Sequence, residues 1–487
     1  MSEDRPGTDI VLPLMAAVAL PVLLRFGFTQ SADLWLLAPE LLIIAAATLV
    51  LALGFAVGRG ALALVTLTGI VIAGIVSVLQ LYGVSAWGMP AQGVAFGLVQ
   101  VDAFALVLKL VFLSVAGLVA LASPTAVPGR ANQGEYYSLL LFATVGMMFV
   151  GGSRDLIMLF LGFELSSFAS YALAGYRKKD PESVEAAMKF FINGALSSAL
   201  ILFGISLVYA LTTTSVDTRV IPGDVSFGNV GLLFSVGGLD PFSLMVIFAV
   251  MFLLAGFAFK VAAFPFHMWA PDVYDGSPTA VSAFLAAGSK KMGFAALFKV
   301  FLVGLLAARA NWDVLFGVVA IATMTLGNVL AISQTNIKRM LAYSSIAQAG
   351  YILIAIPIAA ASPDAVGQYA LAGGIFHILT HAFMKGGAFI VVAALLAVGI
   401  SERIEDYKGL SRRAPLMAFA MAVFLISFAG IPPLAGFMSK FVLFSGAVNA
   451  SLQPEHGWLI ILAIAGILNS AVSLFYYAKV VRIMYVE

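Results

Sequence analysis

Apolar residues run along this chain in long stretches instead of alternating with polar ones, and a stretch of roughly 18 or more is long enough to cross a hydrocarbon layer as a helix. Such stretches fall near residues 9–27, 34–57, 61–82, 102–122, 136–153, 155–175, 188–211, 240–274, 279–306, 312–332, 338–360, 366–398, 415–446 and 457–484. The pattern predicts an all-α membrane protein with about fourteen transmembrane helices, since helices satisfy their own backbone groups in lipid. Two stretches, 240–274 and 415–446, are long and carry prolines in mid-span: Pro265 in one, Pro432 and Pro433 followed by Gly436 in the other. A mid-helix proline removes a backbone donor and clashes with the preceding turn, so both are expected to be broken helices. The first stretch, with Pro13 and Pro21, is expected to be an irregular but retained helix, because Met1 to Thr8 lack the basic start of a cleaved signal peptide.

Charge orients the bundle. With fourteen spans the loops fall alternately on two sides, and thirteen Lys and Arg residues collect on the side holding both termini, including Arg177, Lys178, Lys179, Lys338, Arg339, Arg412 and Arg413. The opposite side has Arg25, Arg154, Arg219 and Arg309. Basic loops prefer the cytoplasm, so a multi-pass protein of the prokaryotic inner membrane with cytoplasmic termini is expected. Composition agrees: 62% hydrophobic and 10% charged residues leave too little charge to cover a soluble surface. The net charge of +2, without a basic run interleaved with aromatics, argues against a nucleic-acid partner. Without cysteine there is no disulfide, iron–sulfur cluster or thiolate metal site, and four histidines leave little for haem or zinc; no metal or cofactor is expected in this chain.

The informative charges lie inside the stretches: Lys109, Lys189, Lys260, Lys290, Lys291, Lys299, Lys385, Lys440 and Lys479. All are lysine, and a buried lysine can give up its proton where an arginine effectively cannot. A charge at a helix centre costs roughly 2.5–3.5 kcal/mol by insertion scales, so several deep lysines suggest function. Glu164 lies deepest among the acids, with Lys260, just before Pro265, as its expected partner; the alternative is a purely structural ion pair. His377, His381 and Lys385 follow at i, i+4, i+8 and share one helical stripe. Two imidazoles in register with a lysine suit a hydrated proton relay, against the plainer reading of packing residues. Lys290 and Lys291 point about 100° apart, so one is expected to face a polar file and the other a packing or interfacial environment. Lys440 follows FAGIPPLAGFMSK, where a broken helix would free backbone groups beside an ion path. Lys109, Lys299 and Lys479 lie nearer predicted ends, where snorkelling is at least as good an account. His267 and Asp272 are placed either to cap freed backbone or to conduct, and Glu40 to favour a helix N-terminus.

The segments VAAFPFHMWAPDVYDGSPTAVSAFLAAGSKKMGFAALFK (261–299), NIKRMLAYSSIAQAGYILI (336–354), FAGIPPLAGFMSKFVLFSG (428–446) and YYAKVVRIMY (476–485) resemble the antiporter-like subunits of proton-pumping NADH:quinone oxidoreductase, most of all subunit N; ESVEAAMKFFINGALSSALILFGISLVYALT (182–212) agrees. The resemblance implies two inverted five-helix repeats, each with a broken helix. It divides the chain into N-terminal helices (1–135), a first repeat (136–306), and a second repeat with a C-terminal helix (312–487). By position it implies a proton pathway through Glu164, Lys189, Lys260, Lys290 and Lys440. His377, His381 and Lys385 are more typical of the other antiporter-like subunits and of Mrp-type sodium/proton antiporters. The resemblance further implies a non-redox subunit among other antiporter-like and small membrane subunits, with flavin, iron–sulfur clusters and quinone in partners. A stand-alone Mrp-type antiporter, a membrane arm serving a ferredoxin, deazaflavin or hydrogenase, and a scaffold remain the alternatives.

Overall fold

A computed structural model describes residues 32–54, 59–85, 90–126, 132–215, 217–236, 243–362 and 365–487. The expected first span, 9–27, lies outside the described residues. The remaining apolar stretches coincide with helices: α1 (Ala32–Leu36) and α2 (Ala38–Leu53), α3 (Arg59–Leu81), α4 (Ala103–Ala126), α5 (Gln133–Gly152), α6 (Leu156–Ala174) and α7 (Pro181–Thr214). After a short helix α8 (Phe227–Val236) come the arms of the first broken span, α9 (Leu244–Lys260) and α10 (Trp269–Gly276). Then follow α11 (Thr279–Phe284), α12 (Lys290–Lys299), α13 (Asp313–Ile332), α14 (Ile337–Leu353), α15 (Ala355–Ala361) and α16 (Ala365–Ala397). A single turn, α17 (Leu410–Arg413), leads to the second broken span, α18 (Pro415–Ala429) and α19 (Ala435–Ser451), and α20 (Ile460–Tyr485) ends the chain. Among the described residues nine helices are long and apolar enough to cross a membrane, and α9 and α18 are shorter apolar helices.

Three features depart from the reading of the sequence. The stretch 279–306 is not one continuous α-helix: π-helical turns at Leu285–Ser289 and Val300–Gly304 bracket α12. Helix α8 stands where no span was expected, and strands β1 (Gly93–Ala95) and β2 (Val99–Val101) pair as a small antiparallel hairpin, with Phe96 and Gly97 in left-handed backbone at its turn. Helix α7 has 34 residues, about 50 Å of helix against the ~30 Å hydrocarbon core, so part of it must project from the bilayer.

Outward positions are apolar, as on α3, where Leu64, Val71 and Ile75 are exposed as lipid-facing residues would be. Helices meet through small residues: a Cβ on Gly146 of α5 would lie 2.5 Å from the Ser166 amide of α6, so these backbones touch. Helix α14 and its continuation α15 are almost wholly buried, with α10, α13 and α16 packed around α14. A helix buried on every side and yet rich in serine and glutamine is where polar chemistry can be held away from lipid.

Candidate functional site

Each broken span stops where its sequence forbids continuation. Helix α18 ends at Gly430, whose φ of 82° is the left-handed conformation that closes a helix. The carbonyl of Phe428, freed by the break, accepts from Lys440 Nζ at 2.8 Å and from Gln348 Nε2 at 3.2 Å. Lys440 also donates to Ser470 Oγ at 3.2 Å and sits 4.2 Å from the centroid of the Tyr351 ring. The freed carbonyl is therefore a ligand for the lysine, as expected of an ion site built at a helix break.

The histidine helix continues this arrangement. His377 Nδ1 meets Ser439 Oγ at 2.8 Å, next in sequence to Lys440, and its Nε2 meets Gln348 Oε1 at 2.9 Å. His381 stacks on His377 with ring centroids 6.2 Å apart, and neither of its buried ring nitrogens has a protein hydrogen-bond partner among the described residues. Lys385 donates to Ser344 Oγ (2.8 Å) and to the Leu341 carbonyl (3.0 Å), with its ammonium 4.1 Å from the Phe428 ring centroid. The predicted stripe is real: all three side chains are fully buried and face α14, α18 or α19.

Lys290 reaches the same wall, donating to both Ser345 Oγ and the Ser345 carbonyl at 3.2 Å. Lys291 differs from Lys290 in its partner, and of the packing or interfacial environments expected for the second lysine the interfacial one is ruled out, since Lys290 is 1% and Lys291 0% exposed. The π-turn before α12 explains how: it presents the Ala286 carbonyl to Lys291 Nζ at 2.8 Å.

The expected direct pair of Glu164 and Lys260 is not formed. Lys260 Nζ donates to Ser167 Oγ at 2.9 Å, while Glu164 accepts from Ser198 Oγ at 2.5 Å. Ser167 lies one turn after Glu164 on α6, so it intercepts the ammonium before it reaches the carboxylate. Lys260 is the last residue before its break, whereas Lys440 lies a turn after the second one, so the two breaks hold their lysines on opposite sides. Freed groups of the first break are met by side chains, Thr323 Oγ1 of α13 accepting from Phe264 N–H at 3.0 Å and Trp269 Nε1, at the start of the second arm, donating to Phe259 O at 3.0 Å. His267 is buried and stacks on Phe264, with centroids 6.0 Å apart.

Lys189 is not a deep lysine. Its side chain is 43% exposed and bonds Glu185 and Asp272, because α7 begins well before the apolar stretch and carries this turn beyond the bilayer core. Asp272 and Asp275 of α10 both meet Arg339, at 3.1 and 3.5 Å, and buried Lys338 meets Glu402 at 3.1 Å. Lys189, Asp272, Asp275 and Arg339 line a cavity of about 140 Å³ at the surface. Exposed Lys479 fits snorkelling, but Lys109 and Lys299 do not. Lys109 forms a 2.7 Å ion pair with Glu40, both side chains fully buried, and Lys299 donates to the Ser153 carbonyl at 2.7 Å. Their depth was masked by stretches predicted as straight rods of uniform length; the signal available was that each has only apolar neighbours in sequence.

The F420H2 dehydrogenase subunit N of Methanosarcina mazei is 44% identical over 468 residues, covering 93% of this chain and 89% of that protein. The NADH-quinone oxidoreductase subunit N of Trichlorobacter lovleyi is 42% identical, covering 88% of this chain and 82% of that protein. A chain of respiratory complex I from Thermus thermophilus, solved with bound aureothin, superposes with a TM-score of 0.72 at 30% identity, covering 92% of this chain and 90% of that one. Residues 153–469, which include both broken spans and the lysine–histidine cluster between them, match the family described as NADH:quinone oxidoreductase/Mrp antiporter, transmembrane, and the chain belongs to that family.

Proposed function

We propose that this chain is the subunit N-type, antiporter-like member of a membrane-bound, complex I-like oxidoreductase, and that it moves protons while electron transfer takes place in partner subunits. The observation that carries the reading is the buried cluster of Lys290, Lys291, Lys385, Lys440, His377 and His381, in which Ser344, Ser345, Gln348 and Ser439 bond Lys385, Lys290 and His377, and His381 stacks on His377. Four ammonium groups gathered with no carboxylate paired to them among the described residues repel one another, so protonating one opposes protonating the next. Such a set favours passing a proton along over storing several. Lys260, sensing Glu164 across Ser167 and Ser198, would load the cluster; Lys290 would receive, the histidines would relay, and Lys440 on the Phe428 carbonyl would set release.

In this reading the chain has about fourteen spans with cytoplasmic termini in a prokaryotic inner membrane, N-terminal helices over 1–135, and inverted repeats over 136–306 and 312–487. Flavin, iron–sulfur clusters and quinone belong to partners. The donor follows from the partner that binds it, since one relative belongs to an F420H2 dehydrogenase and another to an NADH-quinone oxidoreductase; identifying the subunits that co-purify in mild detergent distinguishes these. The test of transport is proton pumping by the reconstituted complex carrying Lys260→Ala, Lys290→Ala or Lys440→Ala, with assembly checked on native gels. Loss of pumping is expected in each, and normal pumping in all three would sink the pathway. A second reading, a subunit of an Mrp-type sodium/proton antiporter, is favoured by the family's scope; sodium-dependent proton exchange in vesicles without any electron donor would establish it.

A further inference from the structure

The cluster above leaves one set of deeply buried charges unused. Glu40 on α2 and Lys109 on α4 form a 2.7 Å ion pair with both side chains at 0% exposure, outside the residues matched to the family. A buried pair of this kind is no better for packing than two apolar side chains of the same volume, so stability alone gives little reason for it. Its surroundings do. Helix α4 packs against α11, against the π-turn that precedes α12 and against α16, which carries the histidines. Lys299, at the far end of α12 from Lys290 and Lys291, is buried, bonds the Ser153 carbonyl, lies 5.8 Å from the Phe104 ring centroid, and is acted on by the charges of both Lys109 and Asp102. Asp102 is half-buried; it follows directly on β2 and caps α4 by accepting from Ala105 N–H at 2.8 Å. The hairpin docks on the same place, Leu98 O accepting from Arg154 N–H at 2.9 Å.

Titratable groups therefore continue from the central lysines along α12 to the hairpin end of the bundle, away from the Lys338–Arg339 end. We propose that Lys299, Lys109, Glu40 and Asp102 form a second proton-conducting branch, joining the central cluster to the face covered by the β1–β2 hairpin. The inference rests on the proton-transfer reading above. In it Lys299 exchanges a proton with the cluster through water, the Glu40–Lys109 pair balances the charge that arrives, and Asp102 connects to solvent beside the hairpin. No bond other than to hydrogen is made or broken.

The test uses the intact complex in liposomes with its own electron donor, reading protons moved per electron pair. Variants are Glu40→Gln, Lys109→Met, Lys299→Gln and the apolar double replacement Glu40→Leu with Lys109→Met; Lys290→Ala is the reference. The branch predicts that all four lower the ratio to the level of Lys290→Ala while electron transfer continues. An unaltered ratio in the apolar double variant means that the pair only packs helices and overturns the proposal. So does an unaltered ratio in Lys299→Gln, which alone decides if the Glu40 or Lys109 variants fail to assemble. A full ratio in Lys290→Ala overturns instead the reading of the central cluster.

Discussion

At the scale of single residues, what matters about Lys290 is whether it can let go of its proton. Arginine would keep the charge and could still reach Ser345, but reference values place its acidity about two to three units lower, so it releases a proton roughly a hundred- to a thousand-fold less often. Lys290→Arg is expected to assemble and to sustain electron transfer, yet to pump no better than Lys290→Ala; wild-type pumping would mean that the charge alone suffices. Gln348 makes a second test. Its Oε1 accepts from His377 Nε2–H and its Nε2 donates to the Phe428 carbonyl that also holds Lys440, so Gln348→Met cuts two links at nearly constant volume. A buried hydrogen bond left unmade costs about 1–3 kcal/mol. Thermal unfolding in detergent should fall accordingly, and proton transfer should slow more than electron transfer.

At the scale of elements, the second break depends on close approach. A Cβ on Gly436 would lie 1.9 Å from the Ser427 carbonyl, and the Gly436 N–H donates to Ser427 Oγ at 3.1 Å. Gly436→Ala should push α19 from α18, pull Lys440 off the Phe428 carbonyl, and destabilise the protein by about 1–3 kcal/mol, the usual cost of overpacking. Gly457→Ala, where a Cβ would meet nothing within 4 Å, should leave the melting temperature unchanged. Breaks of this sort were legible in the sequence because proline acts through local sterics: Pro265, Pro432 and Pro433 interrupt their helices wherever the rest of the chain lies. The histidine stripe was legible for the same reason, a fixed helical period. What depends on partners far along the chain was not. Ser167 and Ser198 separate Glu164 from Lys260, Glu40 finds Lys109, and Ala286 serves Lys291 through a π-turn; none of these leaves a mark on hydropathy or spacing. The hairpin is too short for a search for long apolar runs, and the excess length of α7 that exposes Lys189 begins in polar residues outside such a run.

At the scale of the whole molecule, the short arm α10 is held by ions to the helix that carries the central serines. Asp272 bonds Lys189 of α7 and Arg339 of α14, and Asp275 bonds Arg339 and Asn336, which also donates to Glu402. Asp272 and Arg339 are each about a third exposed (35% and 34%), so an individual pair of this kind is worth at most about 1 kcal/mol and weakens with salt. Stability is thus a poor reason for the network, while position is a good one: Ser344 and Ser345, which hold Lys385 and Lys290, follow Arg339 on α14, so a shift of α10 relative to α14 would be felt in the cluster. If the network acts as one linkage, Asp272→Asn, Arg339→Gln and the double variant should lower the proton-to-electron ratio equally, and raising ionic strength should lower it in the unaltered complex. Independent surface charges would instead give losses that add. The cycle separates the two without relying on stability, because at about 1 kcal/mol the fold tolerates every variant in it.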